Sequence, residues 1–150
     1  MKRLSRFALC CWMLAGSLAN ADSAGIVGKW TTANGKSQVE ITRCDAGYCG
    51  RLVWLKHPVY PADDEQGMAG QTKIDRNNPD PAMRKKPLLG LQVLRGFRNN
   101  RGNIWEDGTI YDPENGKTYK CKLTLVNRKQ LDVRGFIGFS WIGRTSVWTR

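Results

Sequence analysis

From Ile26 onward the chain is cut into short segments by turn signals, and inside the segments apolar residues recur at every second position. A period of two sends alternate side chains to opposite faces of a strand, so each segment reads as a strand with one dry and one wet face. In Thr118–Val126, Tyr119, Cys121, Leu123 and Leu125 share one face while Lys120, Lys122 and Thr124 share the other. Leu131 and Val133 likewise oppose Asp132 and Arg134, and Val39 and Ile41 oppose Gln38, Glu40 and Thr42. Asn34-Gly35 and Asn115-Gly116 are hairpin pairs, because both residue types tolerate the positive φ of a tight turn. The pattern predicts strands at Ile26–Thr32, Ser37–Arg43, Cys49–Leu55, Leu88–Phe97, Ile104–Tyr111, Thr118–Val126, Gln130–Phe136 and Arg144–Arg150, with polar turns at Arg98–Asn103 and Asn127–Lys129 and a bulge or turn at Asp107-Gly108.

Strands joined by such short turns run antiparallel. One-sided burial leaves sheet edges that closure into a barrel removes. The expected fold class is therefore all-β: an up-and-down antiparallel barrel of about eight strands, with a β-sandwich as the alternative. A barrel of that size is either filled by its own side chains or holds one small ligand.

Residues 57–87 break the rhythm. They hold five of the six prolines and the acidic cluster Asp63-Asp64-Glu65. Asp80-Pro81 suits the start of a short helical turn through Ala82, Met83 and Arg84, since proline is pre-organised for a first helical position. A connection this long is functional or mobile as a rule, and it reads as a loop able to cover one end of the fold. Asp75, Asn78 and Asp80 gather oxygen atoms there, but the regular calcium-loop pattern is missing. Asp and Asn beside proline stabilise turns by bonding backbone N–H groups. Asp75, Asn78, Asp80 and Arg84 are accordingly read as structural, with Asp75 expected to pair with Arg84, and no metal site is assigned.

The chain begins with a basic stretch (Lys2, Arg3, Arg6), an apolar run from Phe7 to Leu18 and Ala19-Asn20-Ala21. The run is too short to span a bilayer, and its order is that of a secretory signal peptide, residues 1–21, cleaved between Ala21 and Asp22. An uncleaved anchor is the alternative. A lipoprotein is disfavoured because Ser17, not a cysteine, follows Leu14-Ala15-Gly16. The mature chain would be one domain, 22–150, periplasmic or secreted, with no second apolar span and therefore not membrane-spanning. Losing those three basic residues takes the formal charge from +11 to +8. Export argues against nucleic acid as a partner, so the charge points to solubility or to an anionic envelope component.

Cys44, Cys49 and Cys121 remain after the signal peptide. In an oxidising compartment a bridge persists, and Cys44-Asp45-Ala46-Gly47-Tyr48-Cys49 suits one across a tight hairpin. Cys49–Cys121 is the rival pairing. A structural zinc site wants four Cys or His ligands, and the chain offers these three cysteines with His57 as the single histidine. Cys121 sits among apolar neighbours by alternation and reads as an inert thiol. No catalytic residue is assigned, because His57 lies beside Pro58 without a nucleophile motif and no acid–base constellation is visible. The least poor carboxylate pair would come from Asp75, Asp80, Asp107 or Asp112. Nothing calls for a cofactor, and nothing speaks to the oligomeric state.

Gly28-Lys29-Trp30, Tyr48-Cys49-Gly50-Arg51-Leu52-Val53-Trp54-Leu55, Asp75-Arg76-Asn77-Asn78-Pro79-Asp80-Pro81, Pro87-Leu88-Leu89-Gly90, Asp107-Gly108-Thr109-Ile110-Tyr111-Asp112-Pro113, Gly116-Lys117-Thr118-Tyr119 and Leu131-Asp132-Val133-Arg134-Gly135-Phe136 follow one another over nearly all of the mature chain. In this order they resemble the bacterial family known as domain of unknown function 2147. That resemblance implies an exported protein with a lipocalin-like barrel, and it brings no activity and no catalytic residues. The chain is also similar to lipocalins in placing Gly-x-Trp on its first strand and a basic residue on its last. There the indole closes one end of the barrel under a guanidinium, which makes Trp30 the indole and Arg144 or Arg150 the cation.

The functional expectation is a binding module for a small apolar or amphipathic molecule such as a lipid or fatty acid. Trp54, Leu91, Val93, Tyr119, Leu123 and Leu125 are the expected ligand contacts. The alternative is a filled barrel acting through its basic surface as a non-catalytic envelope interaction or stress protein, and an enzyme ranks third.

Overall fold

A computed structural model describes residues 25–150, so the predicted signal peptide lies outside the described residues. Eight strands run β1 Gly28–Thr31, β2 Ser37–Cys44, β3 Gly47–Leu55, β4 Gln92–Arg101, β5 Ile104–Asp112, β6 Lys117–Asn127, β7 Gln130–Phe136 and β8 Gly143–Thr149. Each pairs antiparallel with its neighbours in sequence, and β1 pairs with β8 through Thr31 and Thr149, which closes the barrel. The all-β, up-and-down expectation holds. Among the described residues no helix is long and apolar enough to cross a membrane.

The alternation predicted from sequence carries the core. Val39, Ile41, Cys121, Leu123, Leu131 and Val133 are all buried, and they join Trp30, Leu94, Phe97 and Trp105 in one cluster. Gly108 is part of this packing. A Cβ there would strike the Phe97 ring, so the bulge between Trp105 and Gly108, with Asp107 at φ 64°, lets β5 pass the ring.

The fourth strand differs from its prediction. It runs from Gln92 to Arg101 instead of Leu88 to Phe97. Its polar end, Arg98 to Arg101, reads as a turn in sequence but pairs with Ile104–Glu106, and the true turn is only Gly102-Asn103. Leu88 to Leu91 stay in the long loop, held by Leu52 N–H on the Leu91 carbonyl at 2.9 Å and Gly90 N–H on the Leu52 carbonyl at 2.7 Å. The Cys44–Cys49 bridge is present with Cα atoms 5.9 Å apart, and Cys121 is a buried free thiol. The hairpin turn is tighter than expected: only Asp45-Ala46 lie outside the strands, so the bridge links the end of β2 to the start of β3.

Candidate functional site

An up-and-down barrel has two ends, and this one treats them differently. One end carries the short turns 45–46, 102–103 and 128–129 together with the C-terminus. It is closed. Trp30 donates its indole N–H to the Ile26 carbonyl at 2.8 Å. The Arg150 guanidinium lies 4.2 Å from the Trp30 ring centroid and donates to the carbonyls of Gly25, Val27 and Arg128 at 2.9, 3.0 and 2.6 Å. Arg150 is therefore the cation over the indole. Arg144 is not: it stands at the opposite end, where β8 begins.

The other end carries loops 32–36, 56–91, 113–116 and 137–142. A cavity of about 710 Å³ opens there, which falls in the range of small-molecule sites. Its walls include Val39, Leu52, Val93, Ile110, Val133 and Trp148. Lys36, His57, Lys73 and Arg144 contribute to its rim, with Asp112 and Glu114 on the β5–β6 side. Arg76 also reaches the rim, but it is committed to Asp64 at 2.9 Å and lies over the Tyr60 ring at 4.4 Å. Burial opposes the charge on Asp64. The Arg76 guanidinium and the backbone N–H groups of Met68 and Gln66 outweigh it and hold its carboxyl below the usual value. Among the described residues no carboxylate pairs with Lys36, Lys73 or Arg144.

The interior is thus neither wholly filled nor wholly open. Trp30, Phe97, Trp105, Leu123 and Leu131, none of which lines the cavity, fill the barrel below it. The alternative of a filled barrel thus describes the closed end and not the mouth.

Of the six residues expected to contact ligand, Val93 and Tyr119 line the cavity. Leu123 and Leu125 point inward but pack in the core outside the cavity lining. Leu91 packs against the core from the loop before β4. Trp54 is on the wrong face, 43% exposed, and the reason is a bulge. Gln38 pairs with Trp54 while Val39 pairs with Leu52, so Val53 is an extra residue and parity inverts beyond it. Leu55 takes the inward place and lines the cavity. Val39 and Val133 were legible as inward by alternation. The rim cations Lys36 and Lys73 carry no local signal, because turn residues and loop residues meet there only through the fold.

The long loop is moored to the mouth by residues of its Asp75–Pro81 segment. Asp75 is fully buried, accepting from the Tyr111 hydroxyl at 2.7 Å and the Asn78 amide at 2.7 Å. Asn77 donates to the carbonyls of Pro113 and Glu114 at 3.2 and 2.9 Å. Asp80 caps the 3-10 turn Pro81–Met83 through Ala82 N–H at 2.9 Å. Arg84 corrects one expectation: its Nε donates to the Asn78 carbonyl at 2.7 Å and does not pair with Asp75. Asp75, Asn78 and Asp80 are thus spent on the loop and the hairpin.

The fold is also that of protein HP1028 from the human pathogen Helicobacter pylori, described as belonging to the lipocalin family. The two structures superpose with a TM-score of 0.69 at 20% identity, over 83% of this chain and 82% of that one. No curated protein matches the chain. A family model described as "Uncharacterized protein conserved in bacteria (DUF2147)" matches residues 28–150, the span that holds every strand and every mooring contact described above, and the chain belongs to that family.

Proposed function

We propose that this protein is exported and binds a small amphipathic molecule, with an apolar portion in the barrel and an anionic head at the mouth. The observation that carries the reading is the cavity of about 710 Å³, whose walls are more apolar than polar and whose rim holds Lys36, Lys73 and Arg144 without carboxylate partners among the described residues. A desolvated tail supplies affinity through buried area, and unpaired cations fix its polar end. The lipocalin-family neighbour supports a barrel suited to this use and does not name a ligand. Fatty acids of short, medium and long chain, titrated while tryptophan emission is followed, test the reading, because Trp148 lines the cavity. Saturable change is expected, and the matching fatty alcohols should bind more weakly. No saturable change at any chain length overturns the proposal.

A further inference from the structure

Ile137, Phe139, Trp141 and Ile142 lie on the β7–β8 loop and are 73, 62, 72 and 64% exposed. Four large apolar side chains on six residues exceed what scattered surface hydrophobics explain. They are also presented rather than collapsed. The Arg134 guanidinium holds the loop from below, donating to the carbonyls of Ser140 and Trp141 at 2.6 and 3.1 Å and to the Thr145 hydroxyl at 2.9 Å. The Phe139 and Trp141 rings stack at 4.5 Å, and Ile142 N–H returns to the Phe139 carbonyl at 3.0 Å. The result is an exposed tip of two stacked aromatics flanked by isoleucines.

Its surroundings are basic. Arg144 is the second residue of β8 after the loop, Lys120 pairs with Phe136 at its base, and Lys117 starts the adjacent strand, all three exposed. Asp112 and Glu114 are the acids on that side, and Asp112 already accepts from Glu114 N–H and the Asn115 amide. A protruding aromatic tip with a collar of cations matches the interface of a bilayer. Tryptophan settles at head-group depth, and cations meet lipid phosphates.

We propose that the β7–β8 loop docks this protein on a bilayer bearing anionic head groups, with Phe139 and Trp141 inserted. The loop stands at the mouth of the cavity, so docking turns the mouth toward lipid. The proposal does not depend on what the cavity holds.

The protein is mixed with phosphatidylcholine vesicles with and without phosphatidylglycerol and floated on a gradient. Phe139→Ser/Trp141→Ser is run beside it, and far-ultraviolet circular dichroism checks that the exposed changes leave the barrel folded. The expected result is partition to the anionic vesicles about tenfold or more above the double variant, weakening with salt. A second reading comes from the loop itself: lipid brominated in its acyl chains should quench emission that Trp141→Phe lacks. Equal partition of wild type and double variant, or no quenching attributable to Trp141, overturns the proposal. So does a wild-type dimer that the double variant abolishes while neither binds vesicles, because the loop then serves a second copy of the chain.

Discussion

The Tyr111 hydroxyl donates to the Asp75 carboxylate at 2.7 Å, and this bond ties strand β5 to the loop that borders the cavity. Asp75 is fully buried, so its oxygens depend on protein donors in place of water. Tyr111→Phe leaves that carboxylate with one fewer donor. The expected loss is about 1–3 kcal/mol in chemical denaturation, with faster amide exchange between residues 72 and 80. An unchanged exchange pattern would show that the loop is held elsewhere.

The same pair sets an alkaline limit. Burial first, then the Asp75 carboxylate, push the Tyr111 phenol well above its ordinary value of 10.0. A raised pKa favours the protonated form in the fold, so its stabilisation is complete below about pH 10 and is lost as pH climbs through the folded value. Denaturation midpoints of wild type should fall above pH 10 more steeply than those of Tyr111→Phe. Parallel pH profiles would remove Tyr111 from the account.

Burial pushes the Cys121 thiol up to about 12, so it stays protonated and unreactive at neutral pH. Native protein treated with iodoacetamide should give a Cys44–Cys49 linked peptide and unmodified Cys121, with Cys121 alkylated only in denaturant. Rapid native alkylation would contradict its burial. Cys44→Ser/Cys49→Ser closes no loop in the unfolded chain. With a sequence separation of only 5, its cost should fall at or below the low end of the usual range of about 2–4 kcal/mol.

The two arginines of β8 and the C-terminus should separate stability from binding. Arg150→Ala removes the cation over Trp30 and three bonds to carbonyls, and a loss of about 1–2 kcal/mol is expected after discounting for exposure. Arg144→Ala should change stability by less than about 0.5 kcal/mol and weaken binding of a fatty acid but not of the matching alcohol. If Arg144→Ala weakens both ligands equally, the head-group assignment is wrong.

Gly116 has φ 70°, and a Cβ there would overlap the Asn77 carbonyl. Gly116→Ala should cost more than about 1 kcal/mol and free the 56–91 loop, read as new protease cleavage within it. Asn77→Ala removes the bonds to Pro113 and Glu114 and should reproduce the cleavage with a smaller stability loss.

Strand identity, order and most inward faces were legible because each depends on residues one or two apart. Alternation in Leu123, Leu125, Leu131 and Val133 and the Asn-Gly turns needed no long-range information. Cys44 and Cys49 are five apart, so their hairpin was local as well. What lies along the barrel axis was not local. Leu123 and Leu125 face inward as their alternation says, yet they pack outside the cavity lining, because depth is set by strand tilt and stagger only once the barrel closes. Trp54 was misplaced by a single extra residue at Val53, since one inserted residue inverts every face beyond it. The polar end of β4 read as a turn because its partner, Ile104–Glu106, supplies the pairing that its own composition hides. The site is likewise a product of closure: Lys36 from one turn, Lys73 from the long loop and Arg144 from the last strand share a rim only because β8 returns to β1. Local periodicity determines the strands of this protein, and the closed sheet alone decides which inward residues fill the barrel and which surround its cavity.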